Sequence, residues 1–86
     1  MIILDISDIN RKENFIYYRR EFTATVLFDL LGRNTPANIE FVIETAPTGK
    51  KNVQIKFIET VDYPLIPLVQ ALKIQLIDLD NEQKLP

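Results

Sequence analysis

The segment NIEFVIETAPTGKKNVQIKFIE, residues 38–59, decides the fold, because a turn signal at its centre separates two runs of alternating side chains. Pro47 presets φ for the first corner of a type I turn, and Gly49 supplies the left-handed residue that a three-residue hairpin loop with a bulge needs. Ala46 is therefore expected opposite Lys50. Counting outward from that pair sets apolar residues against apolar residues on one face. These pairs are Ile43 with Val53, Phe41 with Ile55 and Ile39 with Phe57.

The same register gives the other face of the hairpin a polar character. It sets Glu40 against Lys56 and Glu44 against Asn52, with Val42 against Gln54 between them. Charged and amide side chains in this pattern are typical of a solvated sheet face. The hairpin is thus predicted as two antiparallel strands at residues 38–46 and 50–59.

Side-chain alternation also predicts two strands upstream of the hairpin. Ile2, Leu4 and Ile6 alternate with their neighbours, which favours a strand over residues 1–8, followed by a polar turn over residues 10–14. A second strand is predicted over residues 15–30, followed by a connection over residues 32–36. Its inward side chains are expected to be Phe22, Ala24, Val26, Phe28 and Leu30.

A helix competes with the strand interpretation of residues 15–30. Phe15, Tyr18, Phe22, Val26 and Leu30 recur at helical spacing, and a glycine follows two residues later, where it could serve as a helix C-cap. The β-branched and aromatic content favours the strand. Sixteen extended residues would span about 50 Å at ~3.3 Å per residue, so the strand is expected to bend or bulge near Arg19-Arg20-Glu21.

The C-terminal part of the chain predicts one helix, from Pro67 to about Asp80. Proline lacks an N–H group and disfavours α geometry for Ile66 before it, so regular helix is expected to begin at Pro67. One apolar stripe should face the sheet. Its members are Leu68, Val69, Leu72, Leu76 and Leu79.

Together these elements predict an α+β fold. Four strands form an antiparallel β-meander, and one C-terminal helix packs on one face of the sheet, in the order ββββα. Residues 1–86 are expected to form a single small domain.

Composition excludes several classes of chemistry. The chain has no histidine and no cysteine, and Ser7 is its only serine, so a serine or cysteine triad cannot be built. The acidic groups Asp5/Asp8 and Asp78/Asp80/Glu82 lack the spacing of a calcium loop. We therefore expect neither an enzyme, nor a metal, nor a cofactor. A net charge of −2, the absence of cysteine and the short apolar N-terminus favour a cytoplasmic chain without membrane attachment.

One basic and aromatic cluster is a candidate for anion or nucleic-acid contact. Tyrosine beside arginine on a strand can stack on bases and pair with phosphates. The candidate residues are Tyr17, Arg19 and Arg20, extended by Lys50 and Lys51 at the hairpin tip. Strand alternation sends Arg19 and Arg20 to opposite faces, so this nucleic-acid-binding or regulatory function is the alternative hypothesis.

Self-association is the main functional expectation. Ile74 and Ile77 lie away from the helix stripe that should face the sheet, and Ile66 crowds the turn leading into the helix. Several β-branched residues outside the core of so small a domain favour an interface. The sequence therefore predicts a non-enzymatic protein-interaction module that forms a homodimer through this helix patch or through a strand edge, and that binds another, unidentified protein.

Overall fold

The computed structural model describes residues 2–14 and 16–86 and shows the predicted α+β architecture. Four antiparallel strands form one open sheet in the order β1-β2-β3-β4, followed by a C-terminal helix. The elements are β1 (Ile3–Lys12), β2 (Arg19–Leu30), β3 (Arg33–Thr45), β4 (Lys51–Phe57) and α1 (Leu65–Asn81). The predicted first residues of the first two strands, Met1 and Phe15, lie outside the described residues.

The β3–β4 hairpin has the predicted register. Ile43 pairs with Val53, Phe41 with Ile55 and Ile39 with Phe57. The Ala46 N–H donates to the Lys50 carbonyl at 2.8 Å, and Gly49 has φ +89°. Turn chemistry and alternation therefore specify the same register. The ends were predicted too generously, because β4 covers Lys51–Phe57 rather than residues 50–59.

β2 is a strand, and the helix interpretation is wrong. Its even-numbered residues from Phe22 to Leu30 are buried, as the alternation predicted. The strand begins at Arg19 because a turn precedes it, closed by the Arg19 N–H donating to the Ile16 carbonyl at 3.1 Å. Pairing with β3 then runs without interruption from Arg19 to Leu30, so the expected bend near Arg19-Arg20-Glu21 is absent from that ladder.

The connection between β2 and β3 is shorter than predicted. Leu31 (φ +54°) and Gly32 (φ +78°) form a two-residue turn, and β3 starts at Arg33 instead of residue 38. The sequence suggested otherwise because of Pro36, which lacks an N–H group. The Asn38 carbonyl accepts from Ile58 and so faces away from β2, and Pro36, two residues earlier, faces the same open side. No ladder bond to β2 is lost there.

β1 continues to Lys12, past the end predicted at residue 8. Two register shifts interrupt its pairing with β2, one between Ile3 and Asp5 and one between Ser7 and Asn10. Asp8 lies in the second with φ +51°. The bulge disrupts the alternation that marked the strand, and pairing resumes beyond it.

α1 packs its leucines on the inner face of the sheet. Leu68, Leu72 and Leu76 are fully buried, as the predicted stripe requires. The helix begins at Leu65, two residues before the predicted start, because Pro67 falls within its first turn, where the missing N–H has no intrahelical partner to lose. The other face of the sheet is left uncovered by α1.

Candidate interaction surfaces

Arg19 and Arg20 lie on opposite faces of the sheet, as alternation predicted, and each contacts an acidic partner. The Arg19 guanidinium lies on the uncovered face, 3.0 Å from Glu44 and 3.7 Å from Glu21. Arg20 lies on the helix side and donates to both carboxylate oxygens of Asp80 at 2.8 Å. Both arginines proposed for anion contact therefore neutralise carboxylates of the chain itself.

Asp80 joins three elements near the C-terminal end of α1. Besides Arg20 from β2, its carboxylate accepts from the Lys51 ammonium of β4 at 2.6 Å, and Lys51 also donates to the side chain of Asn81 at 2.8 Å. We call Arg20, Lys51 and Asp80 the Asp80 cluster. The hydrogen bond from Arg20, reinforced by that from Lys51, lowers the pKa of Asp80 from its ordinary value of 3.8 to about 2, against an opposing effect of burial.

The helix dipole favours the same arrangement. Two cations lie beside the C-terminal end of α1, where the unpaired carbonyls carry partial negative charge. The Asp80 carboxylate is only 7% exposed, so solvent screens these pairs weakly. The cluster therefore anchors the helix end, and Arg20 and Lys51 serve the fold.

The remaining candidates of the basic cluster line an open groove at the same end of the sheet. Tyr17 is 96% exposed, and its ring meets that of Tyr18 edge to face with centroids 5.8 Å apart. Lys50 and Pro47 of the hairpin tip form the opposite wall. This tyrosine groove has a volume of 910 Å³ and is lined by Tyr17, Tyr18, Glu44, Thr45, Ala46, Pro47, Lys50 and Asn52. The structure thus brings Tyr17 and Lys50 together and separates them from Arg20 and Lys51.

A second groove, of 380 Å³, runs beside the open edge of β4 and was missed by the sequence analysis. Ile58 is 54% exposed and Leu65 is 45% exposed at its rim. This apolar groove is lined by Ile55, Phe57, Ile58, Glu59, Thr60, Val61, Leu65 and Val69. A signal for it exists in the sequence: Ile58 follows Phe57 directly, so one of these two large side chains has to leave the buried face.

The three isoleucines proposed for self-association do not form one patch. Ile66 and Ile74 are 73% and 67% exposed, whereas Ile77 is half-buried and packs against the core. Eight helical residues separate Ile66 from Ile74, which is about 12 Å at ~1.5 Å per residue. Ile66 adjoins Leu65 at the rim of the apolar groove, so the larger exposed apolar area lies at the start of α1 rather than along it.

Metal-binding and membrane-spanning features are both absent from the described residues. In the part of the chain that the structure describes, no three acidic, histidine or cysteine side chains are grouped to hold a metal ion. Across residues 2–14 and 16–86, no helix has both the length and the apolar character that crossing a membrane requires.

Comparisons with known proteins identify a family and nothing more specific. Neither the curated proteins nor the solved structures gave a match. One family model matches residues 1–81, which is nearly the whole chain. The chain therefore belongs to the family described as the BB-0187 family.

Proposed function

We propose that this chain is a small non-enzymatic protein-interaction module, which forms a homodimer and binds a further protein. The apolar groove beside β4 is the observation that carries the proposal. It places the exposed side chains of Ile58 and Leu65 next to that of Ile66. Contiguous exposed apolar side chains on a small domain are typical of an interface.

The charged groups support a structural rather than a catalytic assignment. Arg20, Lys51 and Asp80 fix α1 to the sheet, and Arg19 neutralises Glu44 across two strands. Each of these contacts has a role in holding elements together. In this proposal the module acts in the cytoplasm, whose reducing conditions suit a chain without cysteine.

The alternative function, a nucleic-acid-binding module, rests on the tyrosine groove. The exposed Tyr17 ring offers a stacking surface, and Lys50 lies on the opposite wall. It ranks second, because Arg19, Arg20 and Lys51 already face carboxylates and the net charge is −2.

Solution mass tests the proposed dimer. Light scattering at tens of micromolar should give about 20 kDa, twice the 10.0 kDa of one chain. Ile58→Lys, which places a charge in the apolar groove, should yield a folded monomer. Ile74→Lys is the matched control, because it also replaces a more than half-exposed isoleucine, and it should leave the dimer intact.

A wild-type mass near 10 kDa would reject the dimer. If Ile74→Lys gave the monomer while Ile58→Lys stayed dimeric, the interface would lie on the outer side of α1, as the sequence analysis favoured. Circular dichroism of both variants confirms that any monomer is folded.

A further inference from the structure

We infer that the dimer interface is the open edge of β4, which pairs antiparallel with β4 of a second copy about a two-fold axis beside Gln54. The inference rests on the proposed homodimer and assigns its geometry. Two identical strands, each bordered by the apolar groove, would then join two four-stranded sheets into one continuous sheet.

The sheet has two edges, and only β4 offers a regular one. β1 carries two register shifts and a positive φ at Asp8, which break the even spacing of main-chain groups that another strand needs. β4 pairs with β3 without a shift from Lys51 to Phe57. A second copy therefore finds an uninterrupted template at β4.

The main-chain groups at this edge follow from the hairpin. The Ala46 N–H bonds to the carbonyl of Lys50, so the even-numbered residues of β4 face β3 and the odd-numbered ones face outward. The outward residues are Lys51, Val53, Ile55 and Phe57. Among the described residues, none of the main-chain bonds outside the strand ladders uses their N–H or carbonyl groups.

One register uses all four outward residues. With the axis at Gln54, Lys51 pairs with Phe57 of the second copy and Val53 pairs with Ile55 of the second copy. Shifting the axis to Val53 would leave Phe57 outside the overlap and would set Lys50 against Lys56 of the second copy, a repulsive like-charge pair. The axis at Gln54 instead sets Lys56 against Asn52.

Charge along the strand favours a second copy in the antiparallel sense. The strand is entered through Lys50 and Lys51 and left through Glu59 and Asp62. Antiparallel pairing brings the basic start of one copy to the acidic end of the other, so that Glu59 lies diagonal to Lys51 of the second copy. Parallel pairing would instead bring like ends together.

The test uses a single introduced cysteine, because the chain has none of its own. Gln54 would face its own copy in a pair without hydrogen bonds, where Cα atoms are about 4.5 Å apart, within the range of a disulfide. Gln54→Cys under mild oxidation should therefore give a band of about 20 kDa, twice the 10.0 kDa chain, on a non-reducing gel.

Asn52→Cys is the matched control on the same exposed face of β4. The proposed axis separates position 52 of one copy from position 52 of the other by four residue steps, about 13 Å at ~3.3 Å per step. This variant should therefore stay at 10.0 kDa. A mixture of Asn52→Cys with Lys56→Cys should cross-link, because these positions face each other across the axis.

The outcomes separate this inference from the proposed function. A dimeric mass together with an unlinked Gln54→Cys, or with equal linking of Asn52→Cys, would overturn the β4 register and leave the homodimer standing. A monomeric mass with no cross-link would overturn both. Linking of Gln54→Cys and of the mixed pair, with Asn52→Cys unlinked, supports the inference.

Discussion

Asp80 is the residue that ties the last element of the chain to the first half of the sheet. Its carboxylate accepts from Arg20, sixty positions earlier, and from Lys51. Removing the carboxylate would leave two partly buried cations facing each other without a counter-charge. The stability of the fold should therefore depend on this one side chain more than on any exposed ion pair, such as that between Lys12 and Glu40.

Asp80→Asn should lower the free energy of unfolding at pH 7 by about 2 kcal/mol, the energy that a depression of the pKa from 3.8 to about 2 represents. Urea denaturation followed by circular dichroism measures it. Asp78→Asn, the same change at an exposed position two residues away, is the control and should cost less than about 0.5 kcal/mol.

The pH dependence of that difference follows from the sign of the shift. The folded state holds the carboxylate ionised to lower pH than the unfolded state does, so its contribution is complete above the unfolded pKa and is lost as pH falls towards 2. The gap between wild type and Asp80→Asn should shrink as pH falls from about 5 to about 2. A gap that stayed constant would mean that the side chain stabilises by packing instead of charge.

Among the elements, the β3–β4 hairpin was predictable in full register because two independent signals agree there. Pro47 and Gly49 specify the loop, and the alternating apolar residues specify the same pairs. The inner stripe of α1 was predictable for a similar reason, since three leucines repeat at helical spacing.

Two boundaries were not predictable because the local signal is weak or points elsewhere. The turn between β2 and β3 places Leu31 at a positive φ, where asparagine or glycine would be the usual marker. The bulge at Asp8 interrupts the alternation of β1, so the sequence pattern stops there although the pairing of the strand continues.

Gly49 offers a test of the hairpin as an element. Gly49→Ala should destabilise the protein by about 1 kcal/mol, because a residue with a Cβ is strained at φ +89°. An added Cβ would have no neighbouring atom within 4 Å, so the cost is conformational rather than a clash. Thr48→Ala, a neighbouring change without a positive φ, should have a smaller effect. Equal urea midpoints for Gly49→Ala and wild type would contradict the proposed role of this glycine.

At the scale of the whole molecule, the candidate site was only partly predictable. Alternation correctly separated Arg19 from Arg20, but their acidic partners, Glu44 and Asp80, lie 25 and 60 positions away. Such partners depend on how the sheet and helix pack and leave no local trace in the sequence. The apolar groove, formed between the end of β4 and the start of α1, is hidden for the same reason.

The placement of the arginines leads to a prediction for nucleic acid. Fluorescence anisotropy with a labelled single-stranded oligonucleotide should show no measurable binding at about 150 mM salt, because Arg19, Arg20 and Lys51 already neutralise carboxylates. A submicromolar Kd would reverse the ranking of the two functions. Tyr17→Ala and Lys50→Ala should then weaken binding, since both side chains line the tyrosine groove.

The bulges of β1 have a consequence for how far assembly can proceed. Joining two β4 edges leaves a β1 strand at each end of the combined sheet, and each β1 carries two register shifts and the positive φ of Asp8. A third copy would meet no evenly spaced row of donors and acceptors at either end. Growth would therefore stop at two chains, and the protein would resist fibre formation even when it is concentrated.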